Sequence, residues 1–459
     1  MTESSFSFSS DAATRALCDF IDASPTAFHA ADNLSAALQA RGAVELSETE
    51  TWNLEPGAAY FVRRGGSALI AFRPGLRSAG ESGFVLAGAH TDSPGLKLRL
   101  EKALASRNLI RSPVEVYGGA ILSGWLDRPL GLAGRIAMKG RNGVEVRLYS
   151  SGNAVGIIPN LAIHLNREVN KGFEYNPHIH MPVLVDALDP DAAKSGTGSE
   201  HSWALDFAAS SLGMDSDGIL GADLYFFEPQ KAIVLGSANL SNGAAGNGSV
   251  RGGIVNGPRL DDLAGCQAVA EAFIASAATE HGQVACFLDA EEVGSMTAQG
   301  ADSSFLRDVL ARICIASGAA AQDFYRALAR SFCISVDAAQ AWHPAFPEKF
   351  DERYAPLLNA GPAVKAGANW RYATDAIAEA RFRTACTASG VRCQKYMSRP
   401  DIAPGSTIGP ITSAHLGVKT VDIGHPMLSM HAVRETIGAH DHADMIAVIA
   451  ASYARSPEV

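Results

Sequence analysis

The stretch Gln283-Val-Ala-Cys-Phe-Leu-Asp-Ala-Glu291-Glu292-Val-Gly-Ser295 decides how this chain is read. Its first part, Gln283 to Leu288, is short and continuously apolar, the texture of a parallel strand buried on both faces. Two carboxylates follow at the strand's carboxyl end, where open α/β sheets build their sites. Adjacent carboxylates repel, and a compensating cation is the economical way to hold both in one place. The sharper reading is a metal site, with one carboxylate as ligand and the other as general base. The plainer reading is a pair of solvated acids at a helix start, which helix electrostatics also favours.

The same pattern of apolar strand and then polar residue recurs far along the chain. Gly83-Phe-Val-Leu-Ala-Gly-Ala89 reads as a second buried strand and delivers His90-Thr-Asp92. In His-x-Asp the histidine can bind metal while the aspartate orients it. Pro258-Arg-Leu-Asp261-Asp262 precedes an apolar helix that the aspartates would cap. Phe332-Cys-Ile-Ser-Val336 is a further strand ending in Asp337, and Val421-Asp-Ile-Gly424 leads to a loop carrying His431, with Arg434-Glu435 after it. Each residue alone also reads as a cap, a turn former or a loop histidine. Together, His90, Asp261, Glu292, Asp337 and His431 suit two metals that share one carboxylate, about 3.5–4 Å apart. Nitrogen and oxygen donors without cysteine point to zinc, with manganese or cobalt as alternatives.

Composition narrows the class. A chain of 459 residues is long for one ordinary domain and ample for two. Hydrophobic residues make up 47%, yet no apolar run reaches the length of a membrane span. The start, Met1-Thr-Glu-Ser-Ser-Phe-Ser7, lacks the basic and apolar character of a secretory signal. The 7 cysteines, odd in number and without paired spacing, read as reduced thiols of a cytoplasmic protein. A net charge of -10 argues against non-specific nucleic-acid binding.

The expected organisation is a divided catalytic domain, residues 1–98 and 238–459, with an inserted β-rich domain at 99–237 that serves oligomer contacts. Alternating segments such as Leu109 to Tyr117, Gly131 to Ala137 and Gly143 to Tyr149 suggest half-exposed strands within the insert. Stretches 186–201 and 241–249 read as flexible loops; the second lacks the Gly-Lys-Ser/Thr ending of a phosphate loop. From Val255 onward helical and strand signals alternate, as a doubly wound α/β sheet requires.

The words around these residues resemble the aspartyl aminopeptidase family of co-catalytic zinc exopeptidases. The matches include Ile21-Asp-Ala-Ser-Pro-Thr26, His90-Thr-Asp-Ser-Pro94, Gly124-Trp-Leu-Asp-Arg-Pro-Leu130 and Ile163-His-Leu-Asn-Arg167. Pro258-Arg-Leu-Asp261, Glu291-Glu-Val-Gly-Ser295, Arg371-Tyr-Ala-Thr374, Gly405-Ser-Thr-Ile-Gly-Pro410 and Met430-His-Ala-Val-Arg-Glu435 follow, so the resemblance covers essentially the whole chain.

The resemblance implies roles. His90 and Asp337 would hold one zinc, Glu292 and His431 the other, with Asp261 bridging the two ions. Glu291 would be the general base and Asp92 would fix the histidine ligand. His164 would reach a neighbouring subunit's site to steady the developing oxyanion. Lys365 and Tyr372 match substrate-binding positions, where a cation favours Asp or Glu as the first residue. Assembly as a tetrahedral homo-dodecamer acting on peptide substrates is implied as well. Two departures are visible: Gln340 stands where the family commonly has histidine, and Pro404 where it commonly has cysteine. Alternatives are an aminopeptidase of apolar or broad preference, a non-catalytic peptidase-like scaffold, and a dinuclear deacylase of small amides. A scaffold usually loses a ligand or the base, and this chain keeps them all.

Overall fold

The structure is a computed structural model that describes residues 8–100, 102–141, 143–191, 202–236 and 252–458. The expected loop at 241–249, and residues 192–201 of the one at 186–201, lie outside those residues. The chain divides into two compact units, one of Met1–Asp92, Ala232–Met430 and Glu435–Val459, the other of Ser93–Lys231 with His431–Arg434. Among the described residues no helix is long and apolar enough to cross a membrane.

A nine-stranded mixed sheet organises the first unit. Across it run Val44–Leu46, Tyr60–Arg64, Ala68–Arg73, Gly282–Leu288, Phe84–His90, Phe332–Val336, Lys419–Gly424, Ala363–Lys365 and Gln394–Tyr396. The central four, from Gly282–Leu288 to Lys419–Gly424, are mutually parallel, so their carboxyl ends emerge along one edge. Every residue of Phe84–His90 and of Gly282–Leu288 is buried. The cause is cover on both faces, which is why these segments, Gln283 and His90 apart, are apolar rather than alternating.

Side chains still alternate between two cores. Val85, Ala87 and Ala89 share one with Cys266, Phe382 and Ile446, from the helices Leu260–Ala275, Ala376–Ser389 and Asp441–Tyr453. Phe84 and Leu86 share the other with Phe305, Leu310 and Ala327, from Phe305–Ala316 and Ala321–Arg330. Each such leucine or phenylalanine contributes about 1.5–3 kcal/mol of burial. That packing makes the strand ends rigid points from which polar side chains can be aimed.

A five-stranded sheet completes this unit, in the order Ile233–Leu235, Ile254–Gly257, Glu435–Gly438, Pro426–Leu428 and Ala339–Gln340. Beside it, His425 and His442 stack with centroids 5.4 Å apart, and His442 Nδ1 lies 3.3 Å from His425 Nε2. His442 Nε2 faces Gln267 Oε1. Burial holds His425 down to about 3 and His442 well below the ordinary histidine value, so both are neutral in the fold. The unfolded chain binds their protons below about 6.5, so stability is lost as pH falls from there toward the folded values. Between pH 7 and 5 His425 alone should cost about 2 kcal/mol. Melting scans should show that slope reduced in His425→Gln; equal slopes would contradict the neutral pair.

The second unit contains a five-stranded antiparallel sheet, ordered Gly143–Ser150, Gly131–Gly140, Ile219–Phe227, Gly95–Leu98 and Val114–Tyr117. A three-stranded sheet of Val183–Ala187, Leu109–Ser112 and Leu104–Ser106 accompanies it. The expected strand from Leu109 to Tyr117 is therefore two strands in different sheets. It breaks at Pro113, which has no N–H to donate to a ladder. Leu96, Trp125, Leu132, Ile136, Leu224 and Phe226 form this unit's own core.

Candidate metal centre

His90 is the last residue of its strand and pairs in register with Leu288, just before the Glu291–Val293 turn. The parallel pairing thus brings His90 beside Glu291 and Glu292. Asp337 follows Phe332–Val336, the strand on the other side of Phe84–His90. Asp261 and Asp262 open the helix Leu260–Ala275, but with non-helical backbone angles and a cis peptide between them. The cap is Asp262, whose Oδ1 accepts from Gly265 N at 3.2 Å; the plain reading of Asp261 as an N-cap does not hold.

Among the described residues two sets of possible ligand atoms result, each lying within 4.8 Å: His90, Asp261 and Glu292, and Asp261, Asp262 and Asp337. Asp261 belongs to both, and its backbone N–H donates to Glu435 Oε2 at 2.9 Å, which anchors it. His90 Nδ1 lies 3.1 Å from the Asp92 carbonyl oxygen, so this nitrogen carries the proton and donates it. The bare Nε2 then points at carboxylates, 3.4 Å from Asp261 Oδ1 and 3.8 Å from Asp337 Oδ1. It is buried and has no hydrogen-bond partner among the described residues. A lone pair directed at anionic oxygens is unfavourable unless a cation sits among them, and nitrogen-with-oxygen donors fit zinc.

The electrostatics agree. Burial, with Asp337, Asp261 and Asp92 adding to it against the pull of His90, pushes Glu291 up to about 8. Burial and Asp261 push Glu292 up to about 10. Burial likewise holds Asp262 far above the usual carboxylate range. Burial opposes a charge on His90, but Asp261, Asp337 and Asp92 outweigh it and raise the histidine well above its ordinary value. Carboxylates that cling to protons, around a histidine that gains one, are a site short of positive charge. A dication takes the protons' place.

The expected residues fare differently. Asp92 holds His90 through its backbone carbonyl, while its carboxylate accepts the backbone N–H groups of Glu291 and Glu292, both at 3.1 Å. Lys365 is buried, at 2% exposure. Its Nζ lies 3.2 Å from Asp337 Oδ2, donates to the Ala338 carbonyl at 2.9 Å and stands 5.3 Å above the Tyr372 ring. Burial would raise Asp337, but Lys365 and then His90 hold it well below the usual range. Gln340 Oε1 accepts from Tyr396 Oη at 2.8 Å. His431 belongs to the second unit, at φ 67°, with Nδ1 3.2 Å from the Gly119 carbonyl oxygen. His164 lies in an exposed turn of that unit. The sequence marked Asp262 only as a helix cap and gave no role to Glu435 or to Cys266, whose Sγ donates to the His90 carbonyl at 3.0 Å. The doubled Asp261-Asp262 was the available signal, of the same kind as Glu291-Glu292.

A parallel sheet whose strand ends gather histidine and carboxylates in this way defines an α/β metallo-exopeptidase. Residues 20–453 match the family model described as aminopeptidase I zinc metalloprotease (M18), and the chain belongs to that family. It is 40% identical over 441 residues to a probable M18 family aminopeptidase 2 of Pseudomonas aeruginosa, covering 96% of this chain and 97% of that one. Among solved structures it is similar to one described as the Ape4 and Nbr1 complex, with TM-score 0.89, 31% identity and coverage of 97% and 86%. It is also similar to the mApe1 dodecamer of yeast, with TM-score 0.81, 26% identity and 96% of each chain covered. The protein is thus a zinc aminopeptidase of the M18 family.

Proposed function

We propose that the protein removes single residues from peptide amino termini with two zinc ions, Glu291 as general base, and a preference for Asp or Glu as the first residue. The observation that carries this is the gathering of Asp261, Glu292 and Asp337 around His90, with Asp261 and Asp337 facing its Nε2. Asp261, common to both ligand sets, suits the bridge; the family resemblance adds His431 as the remaining ligand. Zinc, when bound, supplies Lewis acidity to the scissile carbonyl and acidifies water. Glu291 then takes the proton from the attacking water and returns it to the leaving amine. Asp92 aids both by fixing His90 and by holding the backbone of Glu291 and Glu292.

The acidic preference rests on Lys365. An ammonium has three donors, and two are engaged, by Asp337 and by the Ala338 carbonyl. The third is proposed to take a substrate carboxylate, with Tyr372 beside it. The same ion pair with Asp337 also favours a second reading, a broad first-residue preference, since it offsets the lysine's charge. Lys365→Met should lower kcat/KM for aspartyl and glutamyl amides roughly tenfold more than for leucyl amide, the worth of one charge-assisted hydrogen bond. An equal loss on all three would assign Lys365 to holding Asp337 alone.

A homo-oligomer, proposed as a tetrahedral dodecamer, follows the likeness to the mApe1 dodecamer. Exposed apolar residues support it: Val144 at 65% and Val146 at 58%, and Leu161 at 57%, Ile163 at 48% and Leu165 at 75% around His164. His164 is proposed to act in a neighbouring copy's site. The free state of every cysteine suits the proposed cytoplasmic location. The function is tested by hydrolysis of aspartyl, glutamyl and leucyl amides by zinc-loaded protein with and without chelator. Chelator-sensitive cleavage led by the acidic pair is expected; a leucyl preference would leave the reaction and discard the acidic pocket. Zinc-loaded oligomer that cleaves none of them would favour the scaffold.

A further inference from the structure

Away from the metal centre, the helix Ala376–Ser389 ends in a tight turn that folds the chain back on itself. Gly390 adopts the left-handed conformation (φ 68°), and Val391 N donates to the Cys386 carbonyl at 3.0 Å. The returning chain packs Cys393 against the core that contains Cys386, close enough for the two thiols to shift each other's ionisation in opposite directions. Cys386 is buried at 3% exposure, whereas Cys393 is half-buried at the edge of the same core. Arg383, a turn before Cys386 on the helix, donates from Nη1 to Cys393 Sγ at 3.5 Å. Arg383 is itself held by Glu379 at 2.9 Å, which also takes Lys395 at 2.7 Å. A reachable sulfur beside a guanidinium, backed by a second thiol, is the arrangement of an attacking and a resolving cysteine.

We propose that Cys386 and Cys393 are a redox-active dithiol that hydrogen peroxide closes to a disulfide and a thiol reductant reopens. The Cys393 thiolate attacks one peroxide oxygen, the O–O bond breaks, and the leaving hydroxide takes a proton to become water. Cys393 is then a sulfenic acid. The Cys386 sulfur attacks the Cys393 sulfur, the S–O bond breaks, and the Cys386 proton leaves with the hydroxide as a second water. Two electrons pass from the sulfur pair to the peroxide. The neighbouring Cys386 thiol, and Arg383 against the opposing effect of burial, draw the Cys393 thiol down to about 7, which supplies thiolate near neutral pH. The other cysteines are differently placed. Burial raises Cys18 to about 11, Cys314 to about 11 and Cys333 to about 12, and holds Cys266 and Cys286 well above the ordinary thiol value. Closure would tie the helix to the edge strand Gln394–Tyr396, whose Tyr396 is the register partner of Lys365.

The test treats the full-length protein with hydrogen peroxide, alkylates it and digests it with trypsin. The peptides Thr384–Arg392 and Cys393–Lys395 should appear as one linked species, about 2 Da lighter than their sum and split by dithiothreitol, before Cys18 changes. In Cys386→Ser, Cys393 should persist as a sulfenic acid trapped by dimedone. In Arg383→Gln, alkylation of Cys393 near neutral pH should slow several-fold. Recovery of the two peptides unlinked at peroxide levels that oxidise Cys18, or dimedone on Cys393 in the unaltered protein, would overturn the proposal.

Discussion

Replacing Glu291 by glutamine is expected to lower kcat about a thousandfold, roughly 4 kcal/mol, with zinc content and fold unchanged. Glutamine keeps the size of the side chain and the backbone N–H that Asp92 accepts, so the turn Glu291–Val293 stays in place. What it loses is the capacity to take a proton. KM should stay within a few-fold, because a lost general base acts on the step after binding. A variant with kcat within tenfold of the parent would remove Glu291 from the mechanism. Metal analysis on the same sample keeps that outcome distinct from a collapsed site.

Asp261→Asn should act one step earlier, on metal retention. Asp261 belongs to both ligand sets, so its loss weakens both ions rather than one. Asparagine preserves the shape and the backbone N–H to Glu435, which separates the ligand role from the structural one. The expected result is loss of bound zinc on dialysis and at least a thousandfold fall in activity, the scale lost with a catalytic group. In the parent, zinc at a thousand times its dissociation constant adds about 4 kcal/mol of stability; in the variant most of that gain should vanish. Retention of both ions by Asp261→Asn would sink the bridging role.

The gathering of these side chains was legible in part because they hang on the ends of buried parallel strands. Val284 to Leu288 and Gly83 to Ala89 are apolar on both faces, so their ends are marked by the polar residues that follow, His90 after one and Asp289 with the Glu291-Glu292 pair after the other. Asp337 was legible for the same reason. Contacts set by tertiary packing were not. Nothing local in the sequence says that Asp92 would present its carbonyl to His90 and its carboxylate to the next turn. Nor does it say that Lys365, usually an exposed residue type, would be buried against Asp337. Asp262 read as a helix cap, which it is, and that reading hid its place beside Asp261 and Asp337 in the second ligand set. Glu435 serves Asp261 from the far end of the chain, a pairing that only the fold creates. The break at Pro113 was readable in principle, since proline in a strand run argues for an interruption.

The most direct test of the central claim is a zinc titration of the metal-free protein, with bound zinc and aminopeptidase activity measured on the same samples. The account predicts that activity reaches its plateau at two zinc ions per chain, the stoichiometry of a pair sharing Asp261. A plateau at one ion, or activity that survives complete removal of metal, would contradict it.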